Sequence, residues 1–91
     1  MTLKRVEIFV YGRVQGVFFR YTTKKMGKKL GLKGIVENME DGSVHIIAEG
    51  SKENLIKLIE FARKGPKDAI VTEFKFKFQE PKNEFKHFSS L

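Results

Sequence analysis

The sequence predicts an α+β fold of the ferredoxin-like split β-α-β class: a βαββαβ sandwich, one antiparallel sheet with two helices on one face. Three observations carry the expectation. The apolar spacing switches between a period of two and a helical period in the order strand, helix, strand, strand, helix, strand. An Asp-Gly pair at 41–42 sits between two alternating runs, the strongest short-range hairpin signal. The 91 residues suffice for one modest core and not two, and no repeat or linker divides them, so a single domain is expected over 1–91.

Over residues 4–11, Val6, Ile8 and Val10 point one way and Glu7, Phe9 and Tyr11 the other, as in a half-buried strand. A glycine loop follows at 12–16. From Phe19 to Leu30 the spacing becomes helical, with Phe19, Thr22 or Thr23, Met26 and Leu30 on one face, lysines elsewhere and Gly31 as a stop. "GIVENMEDGSVHIIAEG" at 34–50 reads as two antiparallel strands around the Asp-Gly turn. Ser51 is placed to cap a second helix, in which Leu55, Leu58, Ile59 and Ala62 recur at helical spacing before Gly65-Pro66. "IVTEFKFKF" at 70–78 alternates again, with Phe74, Phe76 and Phe78 on one side, and "NEFKHF" at 83–88 is expected to supply a short last strand.

Hydrophobic residues make up 41% and charged residues 32%, the balance of a folded, soluble chain. No apolar run approaches the roughly 18 residues needed to span a bilayer, and the first residues alternate where a signal peptide would be continuously apolar, so the expected location is the cytoplasm with no membrane partner. The absence of cysteine excludes disulfides, thiolate metal sites and cysteine nucleophiles. His45 and His87 lie far apart and form no ligand set, so neither a metal nor a cofactor is expected. The net charge of +7 favours anionic partners, and abundant Lys and Glu without Cys points to heat adaptation.

The stretch "YGRVQGVFFR" at 11–20 carries the chemistry. Glycines at 12 and 16 let the backbone turn just before a helix, leaving consecutive N–H groups in one concavity, a nest that binds anions. The helix N-terminus adds partial positive charge, and Arg20 in its first turn adds a planar fork of donors. The ligand expected there is phosphate. No Gly-Lys-Ser or Gly-Lys-Thr follows, which excludes a Walker-type nucleotide site. In "GIVENMEDG", Asn38 shares parity with Val36 and so points to the helix side at the strand's end, where an uncharged amide could hold a water against bound phosphate.

"GRVQGVFFR" and "GIVENMEDGSV" resemble, in order and separation, the two signature motifs of the acylphosphatase family. The resemblance covers nearly the whole chain, and the length fits a free-standing member. It implies the fold read above and hydrolysis of acyl phosphates to a carboxylate and inorganic phosphate, with Arg20 and Asn38 as the catalytic pair. Two departures stand out: Ile35, where many members have an aromatic residue, and Glu37, where many have a basic or neutral one. Their parity directs both away from Asn38, so altered packing or rate is expected rather than lost activity.

An acyl phosphate leaves as a carboxylate that needs little protonation, so positioning and charge stabilisation suffice. The expected phosphate cradle is the N–H groups of Gln15, Gly16, Val17, Phe18, Phe19 and Arg20 with the Arg20 guanidinium, while Asn38 orients the water. Asp41 belongs to its turn, and a carboxylate facing a phosphate dianion would repel it. The alternative is an RNA-binding module on the same fold, with Phe9 and Tyr11 as a stacking surface. It fails at the third strand, "SVHIIAEG", which has no aromatic pair, so the expected partners are a small-molecule acyl phosphate and phosphate, and no nucleic acid. The sequence points to no particular acyl pocket and to no oligomeric state.

Overall fold

The computed structural model describes residues 3–91, so the first two positions of the expected domain lie outside the described residues. The chain order is β1 (Leu3–Arg13), α1 (Phe19–Lys29), β2 (Lys33–Asn38), β3 (Val44–Ser51), α2 (Lys52–Lys64), β4 (Ile70–Gln79) and β5 (Phe88–Ser90). The sheet order is β4-β1-β3-β2-β5. The pairings among β1 to β4 are antiparallel, with Ile8 opposite both Ile46 and Phe76.

The fifth strand corrects the sequence reading in place and in sense. Residues 83–87 are irregular, and the strand begins at Phe88, parallel to β2, with Gly34 opposite it. The sheet is therefore mixed rather than antiparallel. A parallel partner needs a long return path, and Gln79 to Phe88 provides it by crossing from one sheet edge to the other.

The period of two along the strands sets the core. Val6, Ile8 and Val10 of β1, Val36 of β2 and Val44, Ile46 and Ala48 of β3 are buried on one face. Phe19 of α1 and Leu55, Leu58, Ile59 and Ala62 of α2 close over them. Helix α1 lies over β2 and β5, and α2 over β1, β3 and β4. The close fit of α1 on β5 depends on Gly27, where a Cβ would come within 2.6 Å of Phe88 Cε2. Ser51 caps α2 through its hydroxyl, which accepts from Asn54 N–H at 3.3 Å, as its place before the helix predicts.

Gly12 also corrects the sequence reading. It lies within β1 rather than in the loop, at a bulge where the register with β4 shifts between Tyr11 and Gly12. Its φ is +122°, and a Cβ there would overlap the Ile70 carbonyl oxygen and stand 2.8 Å from Thr72 N. Gly12 thus admits the neighbouring strand instead of shaping an anion nest.

The face without helices carries a buried ionic clasp. Arg5 and Glu49 are paired residues on β1 and β3, with Arg5 Nη1 donating to Glu49 Oε2 at 3.0 Å. The connection from β4 to β5 supplies further partners. Lys82 and Asn83 N–H donate to the Glu49 carboxylate at 2.7 and 3.0 Å, and Glu84 meets Arg5 Nη2 at 2.7 Å. Burial alone would raise the Glu49 pKa, but these donors outweigh it and hold the carboxyl below its ordinary value.

Candidate active site

Residues 14–18 join β1 to α1 and are fixed by their apolar members. Val14, Val17 and Phe19 are buried, with Phe19 packed 6.2 Å from the Phe61 ring, while Gly16 and Phe18 face outward. Gly16 (φ +75°) and Phe18 (φ +63°) both adopt the left-handed backbone, two residues apart. For a bulky residue such as Phe18 that conformation costs roughly 1–3 kcal/mol, so the surrounding packing must impose it. Strain of this kind gathers where a loop must present its amides.

The start of α1 leaves those amides free. Phe18 at the N-cap makes no side-chain hydrogen bond, and the first turn holds no acidic residue. Among the described residues, the backbone N–H groups of 15–20 donate to no protein acceptor. Unpaired amides and the positive end of a helix dipole together favour an anion. Arg20 stands half-buried in that first turn, and its Nη1 donates to the main-chain oxygen of Leu91.

Asn38 arrives from the other side. It is the last residue of β2, one alternation beyond the buried Val36, so its side chain turns to the helix-covered face. Its Oδ1 is buried and has no hydrogen-bond partner. A buried amide oxygen without a donor costs about 1–3 kcal/mol, a deficit that a bound water would remove. Gly16, Phe18, Phe19, Arg20 and Asn38 all border one cavity of about 430 Å³, which Tyr21, Lys24, Ser90 and Leu91 extend.

The side chain of Gln15 ties the two halves of the site together. Its Nε2 donates to the carbonyl oxygens of Met39 at 2.8 Å and Ser43 at 2.9 Å, fastening the loop to the hairpin that carries Asn38. Of the residues expected to cradle phosphate, Gln15 and Val17 send their side chains elsewhere and can offer only their backbone N–H groups. The hairpin is tightened by Asp41, which accepts from Ser43 N–H at 2.9 Å and Ser43 Oγ at 2.6 Å; these bonds lower its pKa.

Among the described residues, no acidic side chain borders the cavity. Glu37 turns to the opposite face, 3.8 Å from His45 Nδ1, while His45 Nε2 meets Glu7 at 2.8 Å and its ring stacks on Phe9 at 4.8 Å. Lys75 lies 5.8 Å from the Tyr11 ring centroid, so Phe9 and Tyr11, the aromatics of the RNA-binding alternative, both have neighbours against their rings. Among the described residues, no group of three His, Cys, Asp or Glu side chains is placed to hold a metal ion. Among the described residues, no helix is long and apolar enough to cross a membrane.

Sequence reasoning missed Lys24, Ser90 and Leu91. Lys24 had a legible signal, since it falls one helical turn after Arg20 and shares its face. Ser90 and Leu91 had none, because only the parallel pairing of β5 brings the chain's last residues to the site.

A family model described as acylphosphatase matches residues 6–90. An acylphosphatase of Pyrobaculum calidifontis is 48% identical over 90 residues, covering 98% of this chain and 82% of that protein. Another, from Thermotoga maritima, is 50% identical over 70 residues, 77% of this chain and 78% of that one. The crystal structure of acylphosphatase from Bacillus subtilis superposes with a TM-score of 0.92 at 34% identity, covering 99% of each chain.

Proposed function

Because the chain belongs to the acylphosphatase family and hydrolyses acyl phosphates, we propose that the 15–20 loop and Arg20 hold the phosphoryl group while Asn38 positions the attacking water. The observation that carries this reading is the unpartnered Asn38 Oδ1, buried on the wall of the cavity that Arg20 also borders. An acceptor so placed can receive one hydrogen bond from the water and fix the oxygen lone pair toward phosphorus.

The reaction balances without a protein base. Water oxygen forms a bond to phosphorus, the bond from phosphorus to the acyl oxygen breaks, and its electron pair leaves on the carboxylate. Both water protons remain on phosphate, so a dianionic ester gives a carboxylate and dihydrogen phosphate. A cavity wall free of acidic side chains suits this course, since a carboxylate there would repel the substrate. Arg20 and the unpaired amides stabilise the equatorial oxygens as charge shifts, the largest contribution a preorganised site makes. With that positive charge supplied by the chain, we extend the reading to hydrolysis without a metal.

Hydrolysis of benzoyl phosphate in oxygen-18 water with EDTA present tests the proposal. The label should enter phosphate and not benzoate, at an undiminished rate. Label in benzoate would mean attack at the carbonyl carbon and would remove the role assigned to Asn38.

A further inference from the structure

We propose that Lys24 selects acyl phosphates whose acyl group carries a second negative charge; this rests on the site reading above. A phosphoryl group fills roughly two or three water volumes of about 30 Å³, so most of a 430 Å³ cavity is left for the acyl portion. The cavity wall beyond Arg20 is formed by Tyr21 and Lys24. Lys24 follows Arg20 by four residues, so the two residues stand on one helix face, their backbone positions about 6 Å apart along the axis.

Lys24 differs from the other lysines of α1. Lys25, Lys28 and Lys29 are exposed, whereas Lys24 is half-buried at the cavity wall. Among the described residues it forms no ion pair and no hydrogen bond. Carboxylates relieve lysines elsewhere in the fold, as Glu73 does for Lys75 at 3.3 Å, but α1 contains none. A half-buried cation without a counter-charge, beside a site for anions, is completed by a ligand anion. The reach is of the same order: with a two-carbon spacer after the carbonyl, a carboxylate sits on the order of 6 Å from phosphorus.

The discriminating position is Lys25, which borders not that cavity but a smaller neighbouring one of about 280 Å³, lined by Tyr21, Lys24, Lys25 and Lys28. Lys25→Met removes the same charge from the same helix without touching the proposed contact. The experiment compares kcat/KM for succinyl phosphate and butyryl phosphate, which share a four-carbon acyl chain and differ in the terminal carboxylate. The wild type should favour succinyl phosphate. Lys24→Met should lower the succinyl-to-butyryl ratio by about two- to fivefold, through KM rather than kcat, and Lys24→Arg should restore most of it. Lys25→Met should leave the ratio unchanged.

An unchanged ratio in Lys24→Met, or an equal fall in Lys25→Met, overturns the assignment while the enzyme remains active. If the wild type hydrolyses neither compound, the functional reading falls together with this inference. The two failures are distinguished by the wild-type rates alone.

Discussion

Replacing Gln15 should separate the assembly of the site from its chemistry. Its amide spans the loop and the hairpin with two hydrogen bonds, to Met39 and Ser43 carbonyl oxygens. Each contributes about 0.5–1.5 kcal/mol, so Gln15→Ala should cost roughly 1–3 kcal/mol in urea unfolding with an unchanged m value. Asn38 immediately precedes Met39, so freeing the hairpin blurs where the water is held while Arg20 and the loop amides stay in place. The rate kcat should fall by about ten- to a hundredfold, with phosphate inhibition weakened less than threefold. Gln15→Glu sharpens the test, because its ionised carboxylate would face the same two carbonyls. Its stability deficit should exceed that of Gln15→Ala at pH 7 and shrink as pH falls through the raised folded pKa toward the unfolded value of about 4.3. An unchanged kcat in Gln15→Ala, despite a measured loss of stability, would refute the positioning role.

Three further outcomes follow from the packing. Glu49→Gln should destabilise the fold by about 2–3 kcal/mol at pH 7, since Arg5 loses its buried counter-charge but keeps Glu84. The Glu49 pKa is depressed on folding, so its contribution is full above the unfolded value of about 4.3 and disappears as pH falls through the folded one. Wild-type and variant stabilities should therefore converge in acid, as measured by urea midpoints against pH. Gly27→Ala should lower Tm by several degrees despite the helix preference for Ala, because the added methyl meets the Phe88 ring; it should also weaken phosphate binding as Ser90 and Leu91 shift. Gly12→Ala, whose methyl would strike the Ile70 and Thr72 backbone, should cost more than about 3 kcal/mol; Gly16→Ala, with open space around it, should cost roughly 1 kcal/mol in thermal or urea unfolding.

Local rules made much of this fold legible. Ser51, the Asp41-Gly42 turn and the alternation of Val6, Ile8 and Val10 each act over a few residues, and the structure places all of them as their spacing implies. The last strand is Phe88–Ser90 and parallel, not 83–88 and antiparallel; a three-residue parallel strand has no period to read and is fixed by partners more than fifty residues away. The Arg5–Glu49 clasp escaped for the same reason: alternation marks Arg5 as solvent-facing, and only the crossing segment 82–85 buries it. At the site, parity brought Asn38 to the correct face, yet Gln15 read as part of a loop whose side chain had no evident target. Two carbonyl groups from a hairpin 24 and 28 residues downstream give that amide its function, and backbone acceptors leave no mark in a sequence.

The most direct test of the central claim is the pair of steady-state profiles for Arg20→Ala and Asn38→Ala on benzoyl phosphate, with inorganic phosphate as competitor. The account predicts that Asn38→Ala loses about a hundredfold or more in kcat with phosphate affinity retained, whereas Arg20→Ala loses both rate and phosphate affinity. If a folded Asn38→Ala variant keeps the wild-type kcat, the water is held by some other group and the assignment is wrong.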